Sequence, residues 1–262
     1  MKIEILMACM YQNDHSIIAR SNVPCDAVVI NQCDEDKVEE FKFRNTHGVE
    51  CKVKFISTTE RGLSKSRNMA IANSTADICV ICDDDEVFPD DLTSIVSKAY
   101  NDIDKSDVII FALERKDGNK KYPAKRKKIG LLQILKSSSH QITFRREKID
   151  NIISFDEKMG SGTGNGGGEE IKFLLDCKKK GYGVFYSPEI IATVLPGDSQ
   201  WFDGYTRKYM YNLGWTSRRL LGSFKGYAYI LYQTVKKYPR YKGSYSLAEA
   251  FLSLHKGFCS KR

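Results

Sequence analysis

No stretch of the chain strings together the roughly 18 apolar residues that a membrane-spanning helix needs, so none is expected. The opening segment, MKIEILMACMYQND, lacks a small-residue cleavage site and reads as a first strand, not a secretory leader. Internal repeats are absent, and no groove-reading nucleic-acid motif occurs. Eight cysteines in 262 residues do not make a disulfide scaffold. Cys9, Cys33, Cys79, Cys82 and Cys177 lie in or beside apolar runs, as buried free thiols in a reducing cytoplasm would. Cys79-x-x-Cys82 lacks the second pair of a zinc site, and three-residue spacing on a strand turns the two thiols to opposite faces. The glycine run from Gly160 to Gly168 is not followed by Lys-Ser/Thr, which excludes a P-loop.

What is present is globular. An apolar content of 42% with 28% charged residues separates the chain from disordered sequences. Its length suffices for one large domain, or for a domain with an appendage. The net charge of +8 is unevenly placed. From Trp201 to Arg262, twelve Lys/Arg stand against two acids, Asp203 and Glu249, so a near-neutral body carries a basic, aromatic-rich tail.

Strand and helix patterns alternate through the first half. Lys2 to Cys9, Asp26 to Asn31, Cys51 to Ser57, Asp77 to Cys82 and Asp107 to Leu113 read as strands. Leu63 to Ala72 and Pro89 to Tyr100 read as helices, the second with Leu92, Ile95, Val96 and Ala99 on one face. This alternation implies a parallel α/β sheet, whose ligands bind beyond the carboxyl ends of its strands. Glu114 to Lys128 holds eight Lys/Arg and reads either as a solvated loop or as a contact to an anionic acceptor. Gln141 to Arg145, Val184 to Tyr186 and Glu189 to Leu195 read as further strands. IKFLLDCKKK reads as a helix stopped by Gly181, and the tail as helical.

Asp83-Asp84-Asp85-Glu86 closes the most apolar strand. Adjacent carboxylates repel, and desolvation raises the cost, so a positive partner is expected. In an extended segment Asp83 and Asp85 point to one side and Asp84 to the other. Two carboxylates at a strand end suit Mg²⁺ or Mn²⁺, which complete their sphere with water and phosphate oxygens. A solvated acidic turn leading into the next helix fits the same residues.

Flanking motifs bear on that choice. GLSKSRNMAIANSTADICVICDDDE, the downstream GGGEEIKFLLDCKKKGYGVFYSP and SQWFDGYTRKYMYNLG follow in order at fitting separations. Together they resemble the family 2 glycosyltransferases, of bacterial polysaccharide type, over about the first 215 residues. The resemblance implies a GT-A fold: a Rossmann-like α/β architecture with a mostly parallel central sheet flanked by helices. It implies a catalytic domain over 1–200, with a nucleotide-sugar half at 1–113 and an acceptor half at 114–200, then a helical C-terminal region at 201–262.

Residue by residue, the resemblance implies that Asp83 contacts the ribose or a metal, and that Asp85 binds a metal bridging the donor's diphosphate. Asp84 belongs to the same donor-binding stretch. Arg67 would lie near the diphosphate or base, its forked donors suiting phosphate oxygens; the plain alternative is a surface helix arginine. Tyr11 matches a base-contacting position, with a buried structural tyrosine as the alternative. Asn31, followed by Gln32 and Asp34, stands where the family usually has an acid that touches the base. Glu170 replaces the family's catalytic Asp as general base beside Glu169, and a place in the first helical turn favours the ionised form. The alternative is that both glutamates only complement the helix dipole. Gly167 and Gly168 belong to an acceptor-side loop that closes over substrates, or to a solvated linker. Asp198 stands near the place where many relatives carry a metal-binding His. Trp201 offers a sugar ring an apolar face, or simply packs.

The implied activity is a metal-dependent (Mn²⁺ or Mg²⁺), inverting transfer from a nucleotide sugar, a UDP-sugar, to a saccharide acceptor. That acceptor would be lipid-linked, in capsule or lipopolysaccharide synthesis at the cytoplasmic membrane face. The tail segment YAYILYQTVKKYPRYKGSY fits peripheral contact with an anionic membrane, or packed helices with solvated basic faces. No nucleic-acid partner is expected. Two rivals remain: a nucleotidyltransferase with the same metal–diphosphate site, and a non-catalytic membrane or saccharide-binding module.

Overall fold

The computed structural model describes residues 1–116, 122–135, 137, 142–196 and 204–261. Gln141, Asp198, Trp201 and part of the basic stretch after Glu114 lie outside them. In chain order the elements are β1 (Ile3–Met10), α1 (Ile17–Arg20), β2 (Asp26–Gln32), β3 (Lys37–Arg44), β4 (Glu50–Thr58) and α2 (Leu63–Asn73). Next come β5 (Ile78–Asp83), β6 (Glu86–Val87), α3 (Leu92–Asp102), β7 (Val108–Arg115), β8 (Lys127–Lys128), α4 (Leu131–Ile134) and β9 (Ile142–Arg145). The chain ends with α5 (Arg146–Ile149), α6 (Glu169–Lys179), β10 (Val184–Val194), α7 (Arg207–Tyr241) and α8 (Leu247–Cys259).

The described strands form one sheet in the order β3-β4-β2-β1-β5-β9-β7-β10-β6, with β8 beside β10. β4, β2, β1 and β5 are parallel, as are β7 and β10. β9 runs antiparallel between β5 and β7 and joins these two parallel groups. The sheet is therefore more mixed than strict strand–helix alternation implies. β5 shows why its sequence is apolar throughout. Ile78, Val80 and Cys82 enter one hydrophobic layer with Leu92 and Val96 of α3, while Cys79 and Ile81 enter the other with Ile71 of α2 and Phe173 of α6. A strand covered on both faces has no position for a polar side chain until it emerges. It emerges at Asp83.

Three elements differ from expectation. β3 (KVEEFKFR) is an edge strand whose charged residues face solvent, and only Phe41 and Phe43 pack inward. Val184 to Val194 is one strand, with register irregularities after Ser187 and Ile190, around a Pro188 that has no N–H to pair. Asp84 and Asp85 form a turn from β5 into β6, not an extended segment, so strand alternation does not place Asp83 and Asp85 together.

α7 is broken at Gly222, where φ is 73°. Trp215 and Leu220, before the break, join the layer that contains α6. After it, Ile230 and Tyr241 pack with Leu254 and Phe258 of α8. Gly214 of α7 and Gly257 of α8 allow close approach, since a Cβ on either would overlap a backbone carbonyl of the other helix. Among the described residues, no helix is long and apolar enough to cross a membrane.

Candidate active site

The acid run meets its first positive partner inside the chain. Arg67 projects from α2 and is 1% exposed, so it is not a surface helix arginine. Its Nη2 donates to Asp83 Oδ1 at 2.8 Å and its Nη1 to Glu169 Oε1 at 2.9 Å. The guanidinium carbon lies 5.4 Å from the Phe155 ring. Burial pulls the Arg67 pKa down, but the charges of Asp83 and Glu169 outweigh it and hold the group firmly protonated. Glu86 turns inward and accepts the Asp83 N–H at 3.0 Å. Asp84 is exposed at the turn, while Asp85 is half-buried and its carbonyl accepts the N–H of Leu195 at 2.8 Å. The end of β10 is thereby tied to the acid turn. Asp198, three residues further on, lies outside the described residues.

Glu169 and Glu170 open α6. The preceding Gly168 has φ 101°, a left-handed conformation that a side chain resists, and its N–H donates to Glu169 Oε2 at 3.1 Å. Glu169 is buried and committed to Arg67 and Gly168. Both of its oxygens are thereby engaged inside the chain, one by Arg67 and one by Gly168. Glu170 is partly exposed. Burial of its carboxyl, then the charge of Glu169, push its pKa up to about 8, against the pull of Arg67. The expected stabilisation of an ionised Glu170 by the helix dipole is outweighed here. A dipole effect of about 0.3–1 kcal/mol is less than one pK unit.

The sign of this shift sets a stability prediction. Glu170 moves from 4.5 unfolded to about 8 folded, so its contribution is complete below 4.5 and is lost as pH rises through 8. Glu170→Gln removes that loss. Thermal melts should show the variant gaining on wild type between about pH 5 and about pH 9; a pH-independent difference would contradict the shift.

The ends of β1, β2 and β4 build a second group of residues. Tyr11 is 55% exposed with φ 49°, which excludes the buried structural reading. Its N–H is held by the Gln32 carbonyl at 3.0 Å, and Arg61 lies 5.6 Å over its ring. Arg61 also pairs with Asp34 at 2.6 Å. Asn31 is buried, and its amide exchanges two 3.0 Å bonds with the backbone of Gln12, which shapes the loop after Tyr11. Arg61 was missed by sequence reading, although it adjoins the Gly62-Leu63 motif at the start of α2.

The glycine run is bonded to the start of α2 on one side and to α7 on the other. The Ser161 carbonyl accepts the Leu63 N–H at 3.0 Å, Met159 accepts from Ser64 at 2.8 Å, and Thr216 of α7 donates to the Gly167 carbonyl at 3.4 Å. Between this run and α7 lies a cavity of about 460 Å³, lined by Asn165, Gly167, Lys208, Tyr209 and Asn212 among others. Its lining on the glycine run ends at Gly167, two residues before Glu169 in the chain.

A divalent cation can be tested against these donors. The carboxylates leaving β5 are hard oxygen ligands, with no thiol or imidazole among them. No cluster of three protein ligands occurs among the described residues. Carboxylate oxygens are the donors that Mg²⁺ and Mn²⁺ take, and one or two suffice where a diphosphate completes the sphere. The residues fit the ion provided a phosphorylated ligand shares it.

Comparison with known proteins bears on the fold and the family. No curated protein matches the chain by sequence. The S. aureus TarS fragment 1–349 in complex with UDP-GlcNAc superposes with a TM-score of 0.63 at 14% identity, covering 97% of this chain and 79% of that one. A second structure of TarS 1–349 gives 0.56 at 17%, covering 99% and 73%. Mannosyltransferase PcManGT from Pyrobaculum calidifontis, in complex with GDP-Man and Mn²⁺, gives 0.55 at 12%, covering 98% and 73%. At such identities the likeness is one of fold. The family model of glycosyl transferase family 2 matches residues 14–166, more than half of the chain. The mixed sheet flanked by helices, the acid turn beyond β5 and that match together place the chain in glycosyl transferase family 2, as a glycosyltransferase of GT-A fold.

Proposed function

We propose that this glycosyltransferase moves a sugar, with inversion and in a metal-dependent reaction, from a UDP-sugar to a hydroxyl of a lipid-linked saccharide in bacterial cell-surface polysaccharide synthesis. The observation that carries the reading is the buried Arg67 bridge, which ties the carboxylate end of β5 to the first turn of α6. Such a bridge would hold a donor side and a base side in one site. The nucleotide sugars bound to TarS and to the mannosyltransferase support a donor of that class.

In this reading Tyr11, beside Arg61 and Asp34, receives the base, and residues 1–113 form the donor half. Asp83 and Asp85 hold Mn²⁺ or Mg²⁺, which when bound supplies positive charge to the leaving diphosphate. Glu170 takes the proton of the acceptor hydroxyl. The acceptor oxygen bonds to the anomeric carbon on the face opposite the leaving group, the bond to the diphosphate oxygen breaks, and the nucleoside diphosphate departs with the electron pair. A carboxylate poised near 8 is a stronger base than an ordinary glutamate, so turnover should climb as pH passes through that value. Glu169 acts by orientation, Gly167 lines the acceptor cavity, and Gly168 links it to the first turn of α6.

The test is product analysis with a panel of nucleotide sugars, with Mn²⁺ or with a chelator. Free UDP, released only with the metal and accompanied by an inverted glycoside, is the expected result. Pyrophosphate release would favour a nucleotidyl transfer, undiminished turnover in chelator would remove the metal, and a retained anomer would remove inversion.

A further inference from the structure

Beyond the break at Gly222, α7 carries a bare apolar stripe. Phe224 is 89% exposed and Val235 69%, with Leu231 and Tyr232 exposed between them at helical spacing. The opposite face of the same helix, with Ile230, Gln233, Thr234 and Tyr241, is buried, and Ile230 and Tyr241 join the cluster shared with α8. The stripe is therefore left over after the helix has satisfied its own packing. Single exposed apolar side chains are ordinary, but a continuous row along one helix face marks an interaction surface.

Charge identifies the occupant. Lys225, Lys236, Arg240 and Lys242 are exposed along and beyond the stripe, and the Lys236 Nζ lies 4.9 Å over the Tyr232 ring. The 35 residues of α7 contain no acid. Two copies meeting on this face would bring like charges together, whereas an anionic lipid surface compensates them. The helix is too short of apolar residues to span a bilayer, so it would lie in the interface with its apolar side down.

The geometry points to the Phe224–Val235 face of α7 as the surface by which the protein docks on anionic membrane. This deepens the reading of a lipid-linked acceptor, because the docked face belongs to the helix whose N-terminal part borders the acceptor cavity.

The test is flotation of the full chain with phosphatidylcholine vesicles, with or without an equimolar part of phosphatidylglycerol. Binding should require the anionic lipid and weaken as salt is raised. Phe224→Ser combined with Val235→Ser should lower partitioning at least about tenfold. Lys225→Gln combined with Lys236→Gln should lower it roughly 30-fold. Release of UDP from a UDP-sugar in solution should be unchanged in both variants. Equal binding to neutral and anionic vesicles, binding to neither, or a solution dimer that the Phe224/Val235 variant dissociates would overturn the proposal. Vesicle binding by a protein that transfers equally well to soluble and lipid-linked acceptors would remove the acceptor reading alone and leave the surface in place.

Discussion

Arg67→Met should abolish transfer and destabilise the fold by about 3–5 kcal/mol, because it leaves two carboxylates facing each other without their cation. The methionine fills similar space, so the effect reports charge more than a cavity. Arg67 is 1% exposed, Glu169 is buried, and Asp83 stands at the mouth of the same cluster. For a chain of this size the loss corresponds to a drop of about 10 °C in Tm. Arg67→Lys keeps the charge but not the fork, and a single ammonium cannot make both the 2.8 Å and the 2.9 Å contact in the same geometry. It should fall between the two. Denaturant melts together with UDP release read both effects, and an Arg67→Met protein as stable as wild type would mean that the bridge contributes little.

Asp85→Ala separates chemistry from folding. The side chain is half-buried in a turn, and the Asp85 carbonyl accepts the N–H of Leu195, a backbone bond that survives in alanine. Stability should change by about 1 kcal/mol or less, while transfer should fall on the order of 10³-fold or more if Asp85 holds the metal on the diphosphate. Titration with Mn²⁺ in the presence of UDP should show weakened metal binding. Full turnover in saturating Mn²⁺ would remove Asp85 from the site.

Which parts of this were legible in the sequence follows from where the determining contacts lie. β5 could be read because burial on both faces leaves an unbroken apolar run, and α3 because Leu92, Val96 and Ala99 recur at helical spacing. The glycines before Glu169 announced the start of α6. By contrast, the burial of Arg67 depends on a partner 102 residues away, and nothing local distinguishes it from an exposed helix arginine. The inward turn of Asn31 depends likewise on the backbone of Gln12. β3 was hidden because Phe41 and Phe43 are its only inward apolar residues, and charged residues dominate the rest of this edge strand. The acid turn was misread as extended because strand periodicity was carried past the point where β5 ends. Glu170 shows the same limit for chemistry: its helix position suggested one charge state, and burial of its own carboxyl, with the charge of Glu169 beside it, reversed the balance.

The central claim is that the acid turn binds the donor while Glu170 removes the acceptor proton. Glu170→Gln tests it most directly, with UDP-sugar affinity measured by calorimetry in Mn²⁺ alongside the single-turnover rate of transfer. The predicted result is a donor Kd within about threefold of wild type and a transfer rate lower by about 10²–10⁴. A parallel loss of both would make Glu170 a structural residue, and a transfer rate near wild type would mean that the base lies elsewhere.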